Sequence, residues 1–178
     1  MYPVVRLTKE FIKFRNAPDL PPLGEHVSTH MCMPWDIDLW RELNNGRTLT
    51  IYDLGRLVLA KRIRLIGTLK RQHWNLTMAG AMVRYRRRVR IFETITMRSR
   101  ALCWDDKFVY IEQSMWKADG ECANHIVYRA ATVGKNGIVA PEQVMQEMGM
   151  DMPDCVLPDW IASWIETEAL RPWPPMQG

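Results

Sequence analysis

Two segments in the first third of the chain differ in the period of their apolar residues. Between Glu25 and Trp35 the apolar residues fall mostly on alternate positions, and this period of two predicts a half-buried strand. The alternating residues are Val27, Met31, Met33 and Trp35. Between Arg47 and Ile66 the period changes and no proline intervenes, which predicts one helix of about five turns. The first half of this helix is apolar nearly all round, as expected for a helix surrounded by protein.

Four further strand patterns follow the helix, at 75–89, 92–104, 107–116 and 122–133. The breaks between them are too short for crossover helices, so consecutive strands are expected to pair antiparallel as hairpins. Two short helical patterns come after them, at 141–148 and 159–170. A helix that is apolar on most sides is satisfied if an antiparallel sheet curls around it. We therefore predict one α+β domain with an N-terminal arm (1–24), a core (25–140) and a C-terminal helical extension (141–178).

Composition fits a single domain and excludes several classes of protein. The chain has 178 residues, of which 47% are hydrophobic and 25% are charged. No stretch approaches the roughly 18 apolar residues of a membrane span, and the N-terminus lacks the apolar core of a signal peptide. We therefore expect a cytoplasmic protein with no membrane partner.

The cysteines and histidines do not predict a metal site. The four cysteines are spread widely and form no C-x-x-C pair, which argues against a zinc site and against a redox dithiol. His26 and His30 lie on one face if their segment is a strand, but no Cys or carboxylate stands near them at metal-ligand spacing. We expect no metal.

A motif lies between the first strand and the long helix. From Asp36 to Arg47 it reads Asp-Ile-Asp-Leu-Trp-Arg-Glu-Leu-Asn-Asn-Gly-Arg. It resembles the active-site segment of the 4-hydroxybenzoyl-CoA thioesterase-like acyl-CoA thioesterases, which read D-x-D-x-x-x-H-x-N-N-x-x-Y at this point. The resemblance extends from Glu25 to Pro141. It implies a hot-dog fold, in which an antiparallel sheet wraps around one long central helix, and hydrolysis of an acyl-CoA thioester to free acid and CoA.

The resemblance also implies catalytic roles for individual residues. The family's aspartate at the position of Asp38 serves as nucleophile or as general base for water. The backbone N–H at the position of Asn45 polarises the thioester carbonyl. The family's His and Tyr are replaced by Glu42 and Thr48. Glu42 is therefore a candidate for the role of the missing His, with an exposed loop glutamate as the alternative.

The chemistry of a helix start agrees with these roles. A helix N-terminus offers free N–H groups and a positive dipole end, and the Asn44-Asn45-Gly46 segment puts such an end a few residues from Asp38. The candidate substrate-binding residues around it are Trp40, Asn44 and Gly46. The alternatives are a capping role for Asp38 and turn chemistry for the asparagines. If the strand continues to Asp38, Asp36 points to the same side, and each carboxylate raises the pKa of the other.

Five arginines fall between Arg84 and Arg90. If this run is a strand, four of the five guanidinium groups project from one face. Arginine binds phosphates through paired, charge-assisted hydrogen bonds, so Arg86 and Arg88 are candidates for holding the phosphates of CoA. A solvated outer sheet face is the equal alternative. Nucleic acid is not expected, because the formal charge is only +4 and the run contains one aromatic residue.

Two functions are therefore considered. The first is an acyl-CoA thioesterase that acts as a homodimer or higher oligomer, since a sheet of this kind leaves an edge that a second copy covers. The second is a non-catalytic hot-dog protein that binds an acyl group or an acyl carrier partner, which the missing His and Tyr favour. Coenzyme A enters as part of the substrate, and no cofactor is expected.

Overall fold

The computed structural model of the protein describes residues 2–175, and the last three residues of the predicted C-terminal extension lie outside this range. None of the helices in the described range combines the length and apolar character that crossing a membrane requires. The helices are α1 (Val4–Lys13), α2 (Asn45–Arg62), α3 (Leu65–Gln72), α4 (Pro141–Met148) and α5 (Asp159–Leu170). The strands are β1 (His26–Met31), β2 (Asn75–Tyr85), β3 (Thr94–Trp104), β4 (Val109–Trp116), β5 (Cys122–Gly134) and β6 (Gly137–Val139).

The strands form one antiparallel sheet in the order β1-β3-β4-β5-β2, with β6 paired to β5. The β3–β4 and β4–β5 hairpins are confirmed. The predicted pairing of β2 with β3 is wrong, because β2 pairs with β5 along its whole length and forms an edge of the sheet. Residues 86–93 carry the chain from this edge to β3. This connection passes the start of α2, where the Leu43 N–H donates to the Val89 carbonyl at 2.8 Å.

Helix α2 packs against one face of the curled sheet and supplies Ile51, Tyr52 and Leu54 to the main hydrophobic core. Gly55 allows the close approach, since a Cβ there would lie 2.6 Å from Met97 Sδ and 2.7 Å from Ser99 Oγ. The sheet wrapped around a long helix confirms the hot-dog arrangement.

The predicted single helix from Arg47 to Ile66 differs from the structure at both ends. Helix α2 starts at Asn45, because the Asn44 side chain caps it, and it ends at Arg62. Arg64 adopts a left-handed conformation with φ 65°, which breaks the helical path before α3 begins.

Strand β1 buries its polar face instead of its apolar one. The alternation predicted a strand, but His26, Ser28 and His30 point inward while Val27 and Met31 are exposed. Most polar groups of this face have hydrogen-bond partners, whereas His26 Nε2 has none among the described residues. The Ser28 hydroxyl and His30 Nε2 share a hydrogen bond of 2.8 Å.

Helix α1 covers this buried polar face of β1. The Phe14 ring packs edge-on against His26 with ring centroids 4.6 Å apart. The carboxylate of Glu10 lies 4.0 Å from His30 Nδ1. From α2, Arg62 donates to His26 Nδ1 at 3.1 Å. The arm therefore packs on the core through a layer of buried histidines.

We expect the stability of this packing to fall in mild acid. Burial, reinforced by Arg62 and Lys13, lowers the pKa of His26 to about 4, and burial, reinforced by Arg6 and Lys13, lowers the pKa of His30 to about 3. Below the ordinary histidine pKa of 6.5, the unfolded chain takes up protons that the native state excludes. Stability is therefore complete above that pH and is lost as the pH falls towards 4. Burial raises the pKa of Glu10, which offsets part of the loss.

Urea unfolding should show a loss of about 2 to 4 kcal/mol between pH 7 and pH 5. Replacing both buried histidines by glutamine should flatten this dependence, whereas His73→Asn at an exposed position should leave it unchanged. If the pH dependence of the stability survives the double replacement, titratable groups other than His26 and His30 cause it.

Candidate active site

A pocket of about 160 Å³ opens beside the first turn of α2. Three parts of the chain form its wall. Glu42 belongs to the loop before the helix, and Asn45 and Thr48 belong to the helix itself. The third part consists of Asn124 of β5, Tyr85 at the end of β2 and residues 86–89 that follow it. The pocket therefore joins a helix N-terminus to an arginine-rich segment.

The helix start presents unused hydrogen-bond donors. Asn44 accepts from the Arg47 N–H at 3.1 Å through its side-chain oxygen, so it caps the helix. Thr48 donates its hydroxyl to the Asn44 carbonyl at 3.1 Å. Within residues 2–175 the N–H groups of Asn45 and Gly46 have no partner, as is usual for the first positions of a helix. The dipole of α2 adds positive potential at this end, which suits an atom that acquires negative charge.

Asp38 lies in the loop that leads into the pocket. A bridge between Ile37 and Leu43 closes the loop, and the Asp38 N–H donates to the Glu42 carbonyl at 2.9 Å. Its carboxylate oxygen Oδ1 accepts from the Trp40 N–H at 2.8 Å. Asp38 is thus adjacent to the pocket residue Glu42 but does not itself form the wall.

Trp40 and Gly46, two predicted substrate-binding residues, also lie outside the pocket wall. Trp40 is 78% exposed at the tip of the loop. Asn44, the third, contributes the cap described above. Of the predicted residues, the structure brings together Asn45, Glu42, Arg86 and Arg88 in one pocket.

The expectation that Asp36 and Asp38 share a strand face is wrong. The strand stops at Met31, and Asp36 ends a 3-10 turn that buries its carboxylate completely. Asp36 binds two arginines, Arg6 at 2.6 Å and Arg47 at 2.9 Å. It therefore joins α1 to the start of α2.

The arginine run is a strand only at its beginning. Strand β2 ends at Tyr85, and the N–H groups of Arg86 and Arg87 both donate to the Ala123 carbonyl at 2.9 Å. The predicted alternation to Arg90 is therefore wrong, because the chain leaves the sheet at this point. All five arginine side chains are exposed.

This segment forms a basic surface that continues from the pocket, made by Arg86, Arg87, Arg88, Arg90 and Lys117. Three of its cations are paired, Arg88 with Glu42 at 2.9 Å, Arg87 with Glu121 at 2.9 Å and Lys117 with Glu93 at 3.0 Å. Within the described chain, Arg86 and Arg90 have no ion-pair partner. The surface therefore retains unbalanced positive charge.

Two sheet residues of the pocket, Tyr85 and Asn124, were not predicted from the motif. The Tyr85 hydroxyl donates to the Asn45 carbonyl at 3.4 Å, and the buried Tyr52 hydroxyl donates to the Asn124 side chain. Burial raises the pKa of Tyr52 well above its usual value, so this hydroxyl is a donor at neutral pH. Nothing local in the sequence marks Tyr85 or Asn124, because the sheet register places them beside Asn45.

No group of three or more His, Cys, Asp or Glu residues in the described range is arranged to hold a metal ion.

The sequence of the chain matches a known protein family and individual named proteins. A family model described as the thioesterase-like superfamily matches residues 32–165. Protein THEM6 of Xenopus laevis is 31% identical to the chain over 147 residues, which are 81% of this chain and 69% of that protein.

Two solved structures share the fold at low sequence identity. The DHNA-CoA thioesterase from Staphylococcus aureus superposes with a TM-score of 0.60 at 11% identity, over 82% of this chain and 92% of that one. The hypothetical protein SAV2348 from the same organism, solved in complex with CoA, gives 0.61 at 13% identity, over 77% and 91%.

Proposed function

Because the chain belongs to the thioesterase-like superfamily, we propose that it hydrolyses an acyl-CoA thioester to free acid and CoA in the pocket at the start of α2. The observation that carries the proposal is a pocket that contains Asn45, whose N–H at the helix start is unused, and that continues into a basic surface. This N–H suits a carbonyl oxygen on which negative charge develops. The arginines suit the phosphates of CoA, and S. aureus SAV2348 is a CoA complex with the same fold.

The proposed reaction proceeds by attack of water on the thioester carbonyl carbon. Asp38 takes a proton from the water while the Asn45 N–H holds the carbonyl oxygen. The resulting tetrahedral intermediate breaks its C–S bond, and the CoA sulfur leaves as a thiolate that takes the proton back from Asp38. Glu42, held by Arg88, borders the same space and is the second carboxylate to test.

Thiol release from a panel of short, long and aromatic acyl-CoAs, followed with a thiol-reactive dye, tests this proposal. Free thiol should appear with at least one member of the panel. A second function, acyl-CoA binding without turnover, is favoured by the ion pair that engages Glu42 and by the loop bonds of Asp38. It predicts saturable binding with no thiol release.

Replacing Arg86, which has no ion-pair partner in the described chain, should affect substrate binding more than replacing Arg88, which is paired with Glu42. Arg86→Gln is expected to raise the KM for acyl-CoA by about tenfold with little change in kcat, because an exposed charge-assisted contact to phosphate is lost. Arg88→Gln should have a smaller effect, since Glu42 already neutralises that side chain.

An acyl-pantetheine thioester, which lacks the nucleotide phosphates, is the discriminating substrate for this prediction. Its KM should not respond to Arg86→Gln. Arg98→Gln, at an exposed arginine of β3 that pairs with Glu25, is the matched control. If Arg86→Gln raises the KM of both substrates equally, Arg86 does not bind the phosphates of CoA.

We also propose that the protein forms a homodimer or higher oligomer. Strand β2 supports this, because it is an edge strand whose second side pairs with no strand in the described chain. The molar mass in solution, measured by light scattering, checks this proposal.

A further inference from the structure

Helix α1 has an exposed face that is largely apolar. Its inner side packs on the core through Leu7 and the buried Glu10. The α1 outer face consists of Val4, Val5, Thr8, Lys9 and Ile12, which line one shallow surface groove. All five are exposed, and Val5 is 84% exposed. Side chains of this size are rarely left in water together without a partner.

The apolar surface continues beyond the helix. Val4 and Val5 also border a depression that reaches Trp35, which is 63% exposed. The exposed Leu39 and Trp40 follow a few residues later in the loop that precedes α2. Tryptophan is enriched where proteins meet the headgroup region of a bilayer, because its ring is apolar and its N–H is polar.

The charges beside the α1 outer face have one sign. Lys9, Lys13 and Arg15 are exposed, and the only acidic residue of α1, Glu10, is buried against β1. A twofold contact between two copies would bring these cations together with no carboxylate of α1 to balance them. A surface of anionic phospholipids has the complementary charge, and each basic residue near such a surface favours binding.

We propose that the α1 outer face binds the surface of bilayers that contain anionic phospholipids. The apolar side chains enter the headgroup region while the lysines face lipid phosphates and carboxylates. The expectation of no membrane partner rested on the lack of a spanning segment, and a helix that lies in the interface needs none. This proposal is independent of the thioesterase reaction.

Co-sedimentation of the full chain with vesicles tests the proposal. Vesicles of phosphatidylcholine with about one third phosphatidylserine should retain the protein, and pure phosphatidylcholine should retain much less. Raising the salt concentration should release the protein, because exposed charges are screened. Val5→Asp should weaken retention by about tenfold, since it puts a carboxylate against the anionic surface.

The control variant is Val156→Asp, the same replacement at a valine that is 89% exposed in the segment before α5. It should bind vesicles like the wild type. Val5→Asp should itself fold normally, because a carboxylate in the first turn of a helix is favoured by the helix dipole.

Three outcomes would overturn the proposal. The first is no retention of the wild type on either vesicle, and the second is equal retention of Val5→Asp and Val156→Asp. The third is a decrease in solution mass caused by Val5→Asp, which would identify the α1 outer face as a contact between copies.

Discussion

Replacing Asp38 by asparagine is expected to lower kcat for acyl-CoA hydrolysis by about a thousandfold with little change in KM, as loss of a general base does. Asparagine keeps the oxygen that accepts from the Trp40 N–H, so the loop retains its conformation. The loss would therefore report the chemistry of the carboxylate. Thiol release at saturating substrate measures it.

Asp119→Asn is the matched control for this replacement. Asp119 is an exposed turn residue whose carboxylate also accepts from the N–H two residues later, that of Glu121 at 3.0 Å. It lies in the turn between β4 and β5, away from the loop that leads into the pocket, so its replacement should leave kcat unchanged. If Asp38→Asn is as active as Asp119→Asn, Asp38 is not the base.

Glu42→Gln distinguishes the two carboxylates. If Glu42 only orients Arg88, the variant should lose less than about tenfold, because the pair is exposed to solvent and glutamine can still accept a hydrogen bond. A loss larger than that of Asp38→Asn would transfer the role of the base to Glu42. The family resemblance would then hold for the fold and the helix start but not for the identity of the base.

Replacing Asp36 by asparagine is expected to destabilise the protein by about 3 kcal/mol. Its buried carboxylate accepts from Arg6 and the Met33 N–H on one oxygen and from Arg47 on the other. An amide has only one acceptor oxygen. Its NH2 group would therefore lie against N–H donors that the second carboxylate oxygen now accepts from. The two arginines are only one-fifth exposed and would keep much of their desolvation cost.

Urea unfolding at neutral pH measures this loss, and Glu25→Gln is its control. Glu25 binds Arg98 with two hydrogen bonds of 2.8 and 2.7 Å, but this pair lies at the surface. Its replacement should cost less than about 1 kcal/mol. Similar costs for the two replacements would show that burial does not strengthen the Asp36 contacts.

Asp36→Asn should also lower kcat, because Asp36 links α1 to the first turn of α2. The helix start must stay in place for the Asn45 N–H to meet a carbonyl oxygen. Stability and activity should therefore fall together in this variant, whereas Asp38→Asn should affect activity alone.

The sequence by itself determined the type of most elements and placed the start of the central helix close to Asn45. The change from a period of two to a period near 3.6 is a local property of the backbone, so it identified strands and the central helix directly. The motif from Asp36 to Arg47 also combined local signals, and the Asn44 cap forms within that segment. The hot-dog arrangement itself was implied by the resemblance of this motif to the thioesterase family, while the pattern required only that a helix apolar on most sides be covered.

Only the tertiary structure decided which face of a strand is buried and which strands pair. Strand β1 buries His26 and His30 because α1 covers them, and alternation within a strand does not say which face a distant helix will cover. The pocket brings Asn45 beside Tyr85 and Asn124 through the pairing of β2 with β5. Strand pairing depends on long-range contacts whose partners are far apart in sequence, so no local pattern encodes it.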